Sequence, residues 1–386
     1  MIGFDLTQGQ KTLQERARRF SKEVILPVAA EHDRDGTFPL DVMEKAHQEG
    51  FLTPLVPKKY GGGGSGVLDT CIISEELAAG CMGIYVSIFV STLALYPIIK
   101  FGTEEQKERF LKPFCSKFTL ASYCLSEVGV GSDPASMKTT AILDSNHYVL
   151  NGTKMWITNG GYADFYLVFA TTDPKKRHKG IISLIVPSNL EGVSHGESID
   201  KMGQRASNTT PVIFKDVRVP KENLLAGEGE GFKKAMTALD ITRPMIAVGS
   251  VGIARTALEL ATQYAKKRIQ FGVPIAQHQA VQFMLADMAK DIEAARLLVW
   301  KAAWVADQGV RNSKEAAIAK AFAADMAMKV TTDAVQIYGG MGYTKWHPVE
   351  KLMRDAKVIQ IYEGTAQIMR LVIARQLIKE TESTLF

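Results

Sequence analysis

The sequence predicts an α+β chain of three successive parts: a helical N-terminal domain over residues 1–119, an antiparallel β domain over 120–228 and a four-helix bundle over 229–386. Three observations predict it. Apolar residues recur at helical spacing up to about residue 119. Short β-branched and aromatic runs bounded by turn residues then follow one another with no long helix between them, which argues against a βαβ repeat. Beyond about residue 229, long segments rich in Ala, Leu and Met carry few breakers, as up-and-down bundle helices do. A chain of 386 residues has room for about two or three domains and for a large core.

The first twenty residues, MIGFDLTQGQKTLQERARRF, have no apolar signal core; they mix acids with arginines and read as a first folded helix. Gly36-Thr37-Phe38-Pro39 punctuates the helical region, and so does the glycine cluster Gly61 to Gly66. That cluster lacks the Gly-Lys-Ser/Thr ending of a phosphate loop and is read as a flexible loop. The apolar run Cys81 to Ile99 is interrupted by Gly83, Ser87, Ser91, Thr92 and Pro97, so it is not read as a membrane span. Glu104 to Phe114 places Phe110, Leu111 and Phe114 on one helical face. In the β region, Tyr166–Phe169, Ile181–Val186 and Val212–Phe214 read as strands, and Asn151-Gly152 between Tyr148–Leu150 and Lys154–Ile157 predicts a type I′ hairpin turn. Segments 245–267 and 279–306 read as long helices.

Composition narrows the function classes. The net charge of +5 is mild, and the densest basic run, Lys175 to Lys179, reads as a solvated loop, so nothing points to nucleic acid. The four cysteines form no Cys-x-x-Cys pair and no histidine stands at ligand spacing from them; reduced thiols are expected, and no metal site. A reducing compartment follows: bacterial cytoplasm, or the mitochondrial matrix for a matured organellar chain. No Gly-x-Gly-x-x-Gly follows a strand, and His278 alone reads as a helix-start residue.

Two segments invite a functional reading. Tyr123 to Asp133 (YCLSEVGVGSD) opens the β region with glycines and hydroxyls, where backbone amides could meet an anion; a plain interdomain loop is the alternative. In Ile359 to Ile368 (IQIYEGTAQI), Glu363 sits between an apolar-aromatic run and a Gly-Thr break. Among apolar neighbours its pKa would rise toward neutrality, fitting a base; a helix N-terminal acid is the alternative.

Together these segments resemble the acyl-CoA dehydrogenase family of flavoproteins, nearest its medium-chain and short-chain branch. The resemblance covers nearly the whole chain in order: Cys124-Leu125-Ser126-Glu127 with Gly131-Ser132-Asp133, then Met155-Trp156-Ile157-Thr158-Asn159-Gly160, then Asp240-Ile241-Thr242-Arg243-Pro244 at the start of a long helix. Arg268-Ile269-Gln270-Phe271-Gly272 with His278-Gln279 follows, then Gln336 to Gly342, then Tyr362-Glu363-Gly364-Thr365. Three positions depart from the family pattern: Val128, Val130 and Trp346.

The resemblance implies FAD as cofactor, an acyl-CoA substrate, an electron-transferring flavoprotein as electron acceptor and a homotetramer built as a dimer of dimers. It implies that Tyr123, Leu125, Ser126, Gly131, Trp156 and Ile157 meet the flavin, with Thr158 at its N5. Ser132 would serve both cofactor and CoA ester. Arg268, Phe271, His278, Gln279, Gln336 and Gly340 would reach FAD across a subunit boundary, and Thr365 and Gln367 would also meet it. Phe89, Asp240, Thr242, Arg243, Tyr362, Gly364 and Arg375 would lie on the substrate side. Glu363 would take the α-proton as hydride leaves the β-carbon for the flavin, with the Glu363 backbone N–H and a flavin ribityl hydroxyl at the thioester oxygen. Phe89-Val90, standing where medium-chain relatives tend to carry Glu-Gly, predicts a short, branched or cyclic acyl group. A straight medium-chain substrate, or an oxidase or monooxygenase of the same fold, is the alternative.

Overall fold

A computed structural model of the chain describes residues 5–382. Helix α1 (Gln8–Phe20) is closed by a capping box: the Thr7 hydroxyl accepts from Gln10 N–H and the Gln10 side chain accepts from Thr7 N–H. A π turn joins it to α2 (Leu26–Asp35), and α3 (Leu40–Gln48) follows. The glycine cluster before α4 (Val67–Gly80) is not a flexible loop. Gly63, Gly64 and Ser65 donate backbone bonds to Thr53, Val56 and Pro54 carbonyls. A Cβ on Gly62 would stand 2.3 Å from the Val56 oxygen, so close backbone approach is what requires glycine there.

Helix α5 (Met82–Phe101) is apolar on every face, and 89% of its most apolar window is buried. Its length and hydropathy would suit a membrane span, but its faces are taken up by α4, the β domain and the bundle. Helix α6 (Glu104–Ser116) starts at a second capping box, Thr103 with Gln106, and buries Phe110, Leu111 and Phe114 as their spacing predicts.

The β domain holds β1 (Ala121–Cys124), β2 (Thr140–Asp144), β3 (His147–Thr158), β4 (Phe165–Thr171), β5 (Ile181–Pro187), β6 (Val193–His195), β7 (Thr209–Pro220) and β8 (Leu224–Ala226). They form a sheet of order β6-β7-β3-β2-β4-β5-β8, with β1 also against β4. The sheet is mostly antiparallel, but β1 and the first residue of β2 run parallel to β4. The crossover such pairing needs is supplied here by the β2–β3 hairpin rather than a helix, which hides it from a reading of element order.

Asn151-Gly152 does not turn. Strand β3 runs straight through it, and the ladder to β7 slips register between Leu150 and Gly152. Gly152 takes φ +146°, and a Cβ there would stand 2.5 Å from the Thr139 hydroxyl, so only glycine fits, while the Asn151 side chain pairs with Asp216 across the bulge. The real hairpin turns at Ser145, φ +55°.

Helix α7 (Gly231–Lys267) begins well before the expected start near 240–245, and Pro244 lies inside it. Proline has no N–H for the Asp240 carbonyl. The Asn312 side chain donates to that carbonyl instead, at 3.0 Å, so the helix continues. A short hairpin of β9 (Ile269–Gln270) and β10 (Val273–Pro274) leads to α8 (Gln279–Asp307), α9 (Ser313–Tyr338), α10 (Val349–Lys357) and α11 (Ala366–Glu382). Helices α7, α8, α9 and α11 form the bundle, and α10 closes one end.

Buried charge ties the parts together. Glu76 on α4, 1% exposed, accepts from Arg18 of α1 at 2.8 Å and from Arg255 of α7 at 2.7 Å. Asp355 of α10 pairs with Lys351 at 2.6 Å and receives the Gln204 N–H from the β domain.

Candidate active site

A cavity of about 230 Å³ opens where the three parts meet. Strand β1 and its exit loop bring Tyr123, Leu125 and Ser126 to one wall, and Gly131 and Ser132 reach its rim. The end of β3 brings Met155, Trp156, Ile157 and Thr158. Helix α5 contributes Val86, Phe89, Val90 and Leu93, and α7 contributes Met236, Leu239, Arg243 and Ile246. Tyr362, Glu363 and Gly364 close the remaining side. The walls are mostly apolar, and the hydroxyls of Ser126, Ser132 and Thr158 have no hydrogen-bond partner among the described residues.

The exit loop is held from beneath. Glu127 and Lys154, 6% and 0% exposed, pair at 2.8 Å. The carboxylate also accepts Lys138 and Thr139 N–H, and the ammonium donates to Leu125 O at 3.1 Å. Their mutual attraction, with backbone bonds filling the remaining positions, offsets the cost of burying both charges.

Glu363 sits in an unusual backbone: φ is +52°, and Gly364 follows at +94°. Non-glycine residues in this region cost energy and persist only where the surroundings over-determine them. Arg243 Nε donates to the Glu363 carbonyl at 3.1 Å and Lys320 Nζ donates to the Gly364 carbonyl. The Thr242 hydroxyl, which bonds Ala238 O at 3.2 Å, stands 3.4 and 3.5 Å from the two carboxylate oxygens. The Glu363 backbone N–H has no acceptor among the described residues. Enclosure away from water pushes the Glu363 carboxyl up to about 7, against the opposing pull of Arg243 and Lys320. The same burial brings Lys320 down to about 8. Arg243 in turn pairs with Asp240 at 2.9 Å, and Asp240 receives the Ser313 hydroxyl.

Models of the acyl-CoA dehydrogenase N-terminal, middle and C-terminal domains match residues 7–117, 122–217 and 229–378. The chain belongs to the acyl-CoA dehydrogenase family. It is 43% identical over 380 residues to the short-chain specific acyl-CoA dehydrogenase of Bos taurus mitochondria, covering 98% of this chain and 92% of the relative. Butyryl-CoA dehydrogenase from Megasphaera elsdenii superposes with a TM-score of 0.95 at 41% identity, over 98% of this chain and 100% of that one. A chain from the electron transferring flavoprotein study of Acidaminococcus fermentans superposes equally well, TM-score 0.95 at 44% identity, over 97% and 99% of the two chains. Structures of the same fold at 28% identity hold FAD.

The cavity of this acyl-CoA dehydrogenase family member fits a flavin. Its apolar walls suit a flat heterocycle, and its uncommitted hydroxyls offer donors to ring nitrogens and oxygens. Trp156, at φ +66°, leaves its indole 58% exposed as a stacking face.

The residues expected from sequence divide into two groups. Glu363, Tyr123, Leu125, Ser126, Gly131, Ser132, Trp156, Ile157, Thr158, Phe89, Arg243, Tyr362 and Gly364 line the cavity. Thr242 and Asp240 stand behind it, acting on Glu363 and Arg243. Arg268, Phe271, His278 and Gln279 do not reach it within their own chain. They sit on and beside the β9–β10 hairpin, where Phe271 is 94% exposed and packs edge-to-face with the His278 ring. Gln336 and Gly340 are exposed at the end of α9, and Gln367 and Arg375 are exposed on α11. Thr365 accepts Ile368 N–H and so caps α11. Of the three departures, Val130 is buried in the core, while Val128 and Trp346 are exposed and line no cavity wall.

Sequence reasoning missed Lys154, Lys320 and Gln204. Two carried a signal: Lys154 falls on an inward strand position and Lys320 interrupts the alanine stripe of α9; Gln204, at φ +49°, carried none, because its bond to the Tyr362 hydroxyl at 3.2 Å joins segments 158 residues apart.

Proposed function

We propose that this chain converts a short, branched or cyclic acyl-CoA to the 2-enoyl-CoA with Glu363 as the base. The observation that carries the reading is the Glu363 carboxyl itself: it opens on an apolar cavity, is pushed up to about 7 by that enclosure, and stands beside its own free backbone N–H. A base whose pKa lies near working pH gives the best compromise between protonation state and driving force.

The acyl chain enters between Phe89, Val90 and Leu239, with the thioester carbonyl at the Glu363 N–H. Glu363 takes the α-proton, and negative charge grows on the thioester oxygen. A fixed donor in a dry site stabilises that charge without reorganising. FAD, the cofactor of this family, would supply the acceptor for the hydride that leaves the β-carbon. Ser126, Thr158 and Trp156 orient the ring, and Ser132 meets the CoA ester at the rim. Asp240 holds Arg243 toward the substrate-side loop, Arg375 extends that surface, and Gln367 meets FAD. Arg268, Phe271, His278, Gln279, Gln336 and Gly340 hold FAD across a subunit boundary in a homotetramer, with Thr365 nearby. An electron-transferring flavoprotein takes the electrons onward. The bulk of Phe89 and Val90 on the inner wall supports the short-acyl preference, and the free thiols of Cys71, Cys81, Cys115 and Cys124 suit cytoplasm.

Anaerobic titration of the yellow protein with butyryl-, octanoyl- and cyclohexanecarbonyl-CoA tests both halves. Butyryl or cyclohexanecarbonyl esters bleach the wild type fastest, and Glu363→Gln binds ligand without bleaching. Octanoyl clearly best would overturn the substrate reading, bleaching of Glu363→Gln at the wild-type rate would remove the base, and oxygen consumption at the turnover rate would make the chain an oxidase.

A further inference from the structure

Glu363 holds a positive φ that glutamate does not favour, so something must hold its peptide. Two cations from two different helices do so. Arg243 of α7 bonds the carbonyl of residue 363 and Lys320 of α9 bonds the carbonyl of residue 364. Arg243 is braced by Asp240, which also explains its orientation. Lys320 has no such brace: its ammonium makes no salt bridge within 4 Å among the described residues, although it is fully buried. A buried lysine without an ion partner is costly and rare. Ala316, Ala317 and Ala324 stand one turn away on the same buried helix, and the one hydrogen bond of its ammonium among the described residues goes to the Gly364 carbonyl. A Cβ on Gly364 would stand 2.6 Å from the Met369 methyl, so the loop is pressed from the α11 side as well.

We propose that Lys320 is a positioning residue for Glu363: its ammonium pins the Gly364 carbonyl so that the carboxylate and the backbone N–H of residue 363 face the same point in the cavity, and its charge keeps the carboxylate ionised. The inference rests on Glu363 as base. The charged and titratable groups facing Glu363 are Arg243 from α7, Lys320 from α9, Tyr123 from β1, Tyr85 from α5 and neighbouring Tyr362; Asp240 pairs with Arg243, and Asp325 faces Lys320 from its own helix. Only Arg243 and Lys320 among these favour the ionised carboxylate, so loss of the Lys320 charge raises the Glu363 pKa.

Two substitutions separate the bond from the charge. Lys320→Met removes both; Lys320→Gln keeps an N–H donor and removes the charge. Expected for Lys320→Met is a loss of kcat of tenfold or more with KM changed less than threefold, and an acid limb of the kcat/KM profile displaced to higher pH. Expected for Lys320→Gln is recovery of most of kcat with the acid limb still displaced. Infrared titration of the Glu363 carboxyl, taken as each protein minus its Glu363→Gln counterpart, reads the same displacement without turnover. Wild-type kcat and an unmoved acid limb in folded Lys320→Met would overturn the proposal, and so would Lys320→Gln behaving as Lys320→Met in kcat. If Lys320→Met does not fold, Lys320→Gln decides alone through its acid limb and infrared titration. Glu363→Gln in the same assay separates the two readings: an active Glu363→Gln sinks the base assignment, whereas an inactive one beside wild-type-like Lys320 variants sinks only this proposal.

Discussion

At the scale of single residues, Glu363 places function and stability in opposition. Its carboxyl binds a proton more tightly in the folded chain than in the unfolded one, at about 7 against an ordinary value of about 4.3. The unfolded chain therefore releases that proton first as pH rises. Stability is full below the unfolded value, falls between about 4.3 and 7, and is flat above. Replacing Glu363 with Gln mimics the protonated form at every pH. The expected outcome is a variant more stable than wild type at pH 8, by no more than about 4 kcal/mol, with the difference vanishing near pH 4; urea denaturation at both pH values measures it. Activity runs the other way and rises through the same window. The presence of a carboxyl in an apolar stretch is plain from the sequence, yet its left-handed backbone is not. Glutamate has no preference for positive φ, and only the bonds from Arg243 and Lys320, 120 and 43 residues away, account for it.

At the scale of elements, α7 shows how a local rule is overruled from outside the segment. Pro244 reads as a helix boundary, and Asn312 makes it a helix interior by taking the orphaned Asp240 carbonyl. Asn312→Ala leaves that buried carbonyl unpaired and should cost about 1–3 kcal/mol, measured as a shift in the urea midpoint. Because Asp240 braces Arg243, a fall in kcat beyond what the lost stability explains is also expected. Strand β3 repeats the lesson. Asn151-Gly152 has the chemistry of a tight turn, but the strand continues because β7 offers a full ladder and Asp216 satisfies the asparagine. The bulge is one of two irregularities in that ladder; the second, between Lys154 and Ile157, lies at Trp156 and turns it toward the cavity mouth. Lys154→Met strands the buried Glu127 carboxylate and should destabilise by about 3–5 kcal/mol; the test is thermal unfolding together with the flavin content of the purified protein.

At the scale of the whole molecule, the cavity exists because three separately folded parts press on one place. Helix α5 supplies Phe89 and Val90, the β domain Trp156 and Thr158, and the turn between α10 and α11 supplies Glu363. Buried ion pairs at Glu76 and Asp355 hold those walls in register from either side. A second set of residues stays outside: Phe271 at the tip of the β9–β10 hairpin is 94% exposed, with φ +53°. An aromatic ring held so far into solvent suits insertion into a neighbouring copy. Phe271→Ser is expected to leave the thermal stability of the FAD-free chain unchanged while releasing FAD on dilution, read by gel filtration with absorbance at the flavin band. Retention of FAD at the wild-type level would mean that the hairpin does not complete the cofactor site.

The order of the three parts, the buried face of α6 and the residue types at the cavity were legible in the amino-acid sequence. These depend on periodicity and on contacts between residues three or four apart. The parallel pairing of β1, the bulge at Gly152, the continuation of α7 through Pro244, the packed glycine loop and the clamp on Glu363 were not. Each depends on a hydrogen bond or a steric approach between segments distant in the chain. Such contacts override a local preference of about 1–3 kcal/mol only once the chain has folded around them.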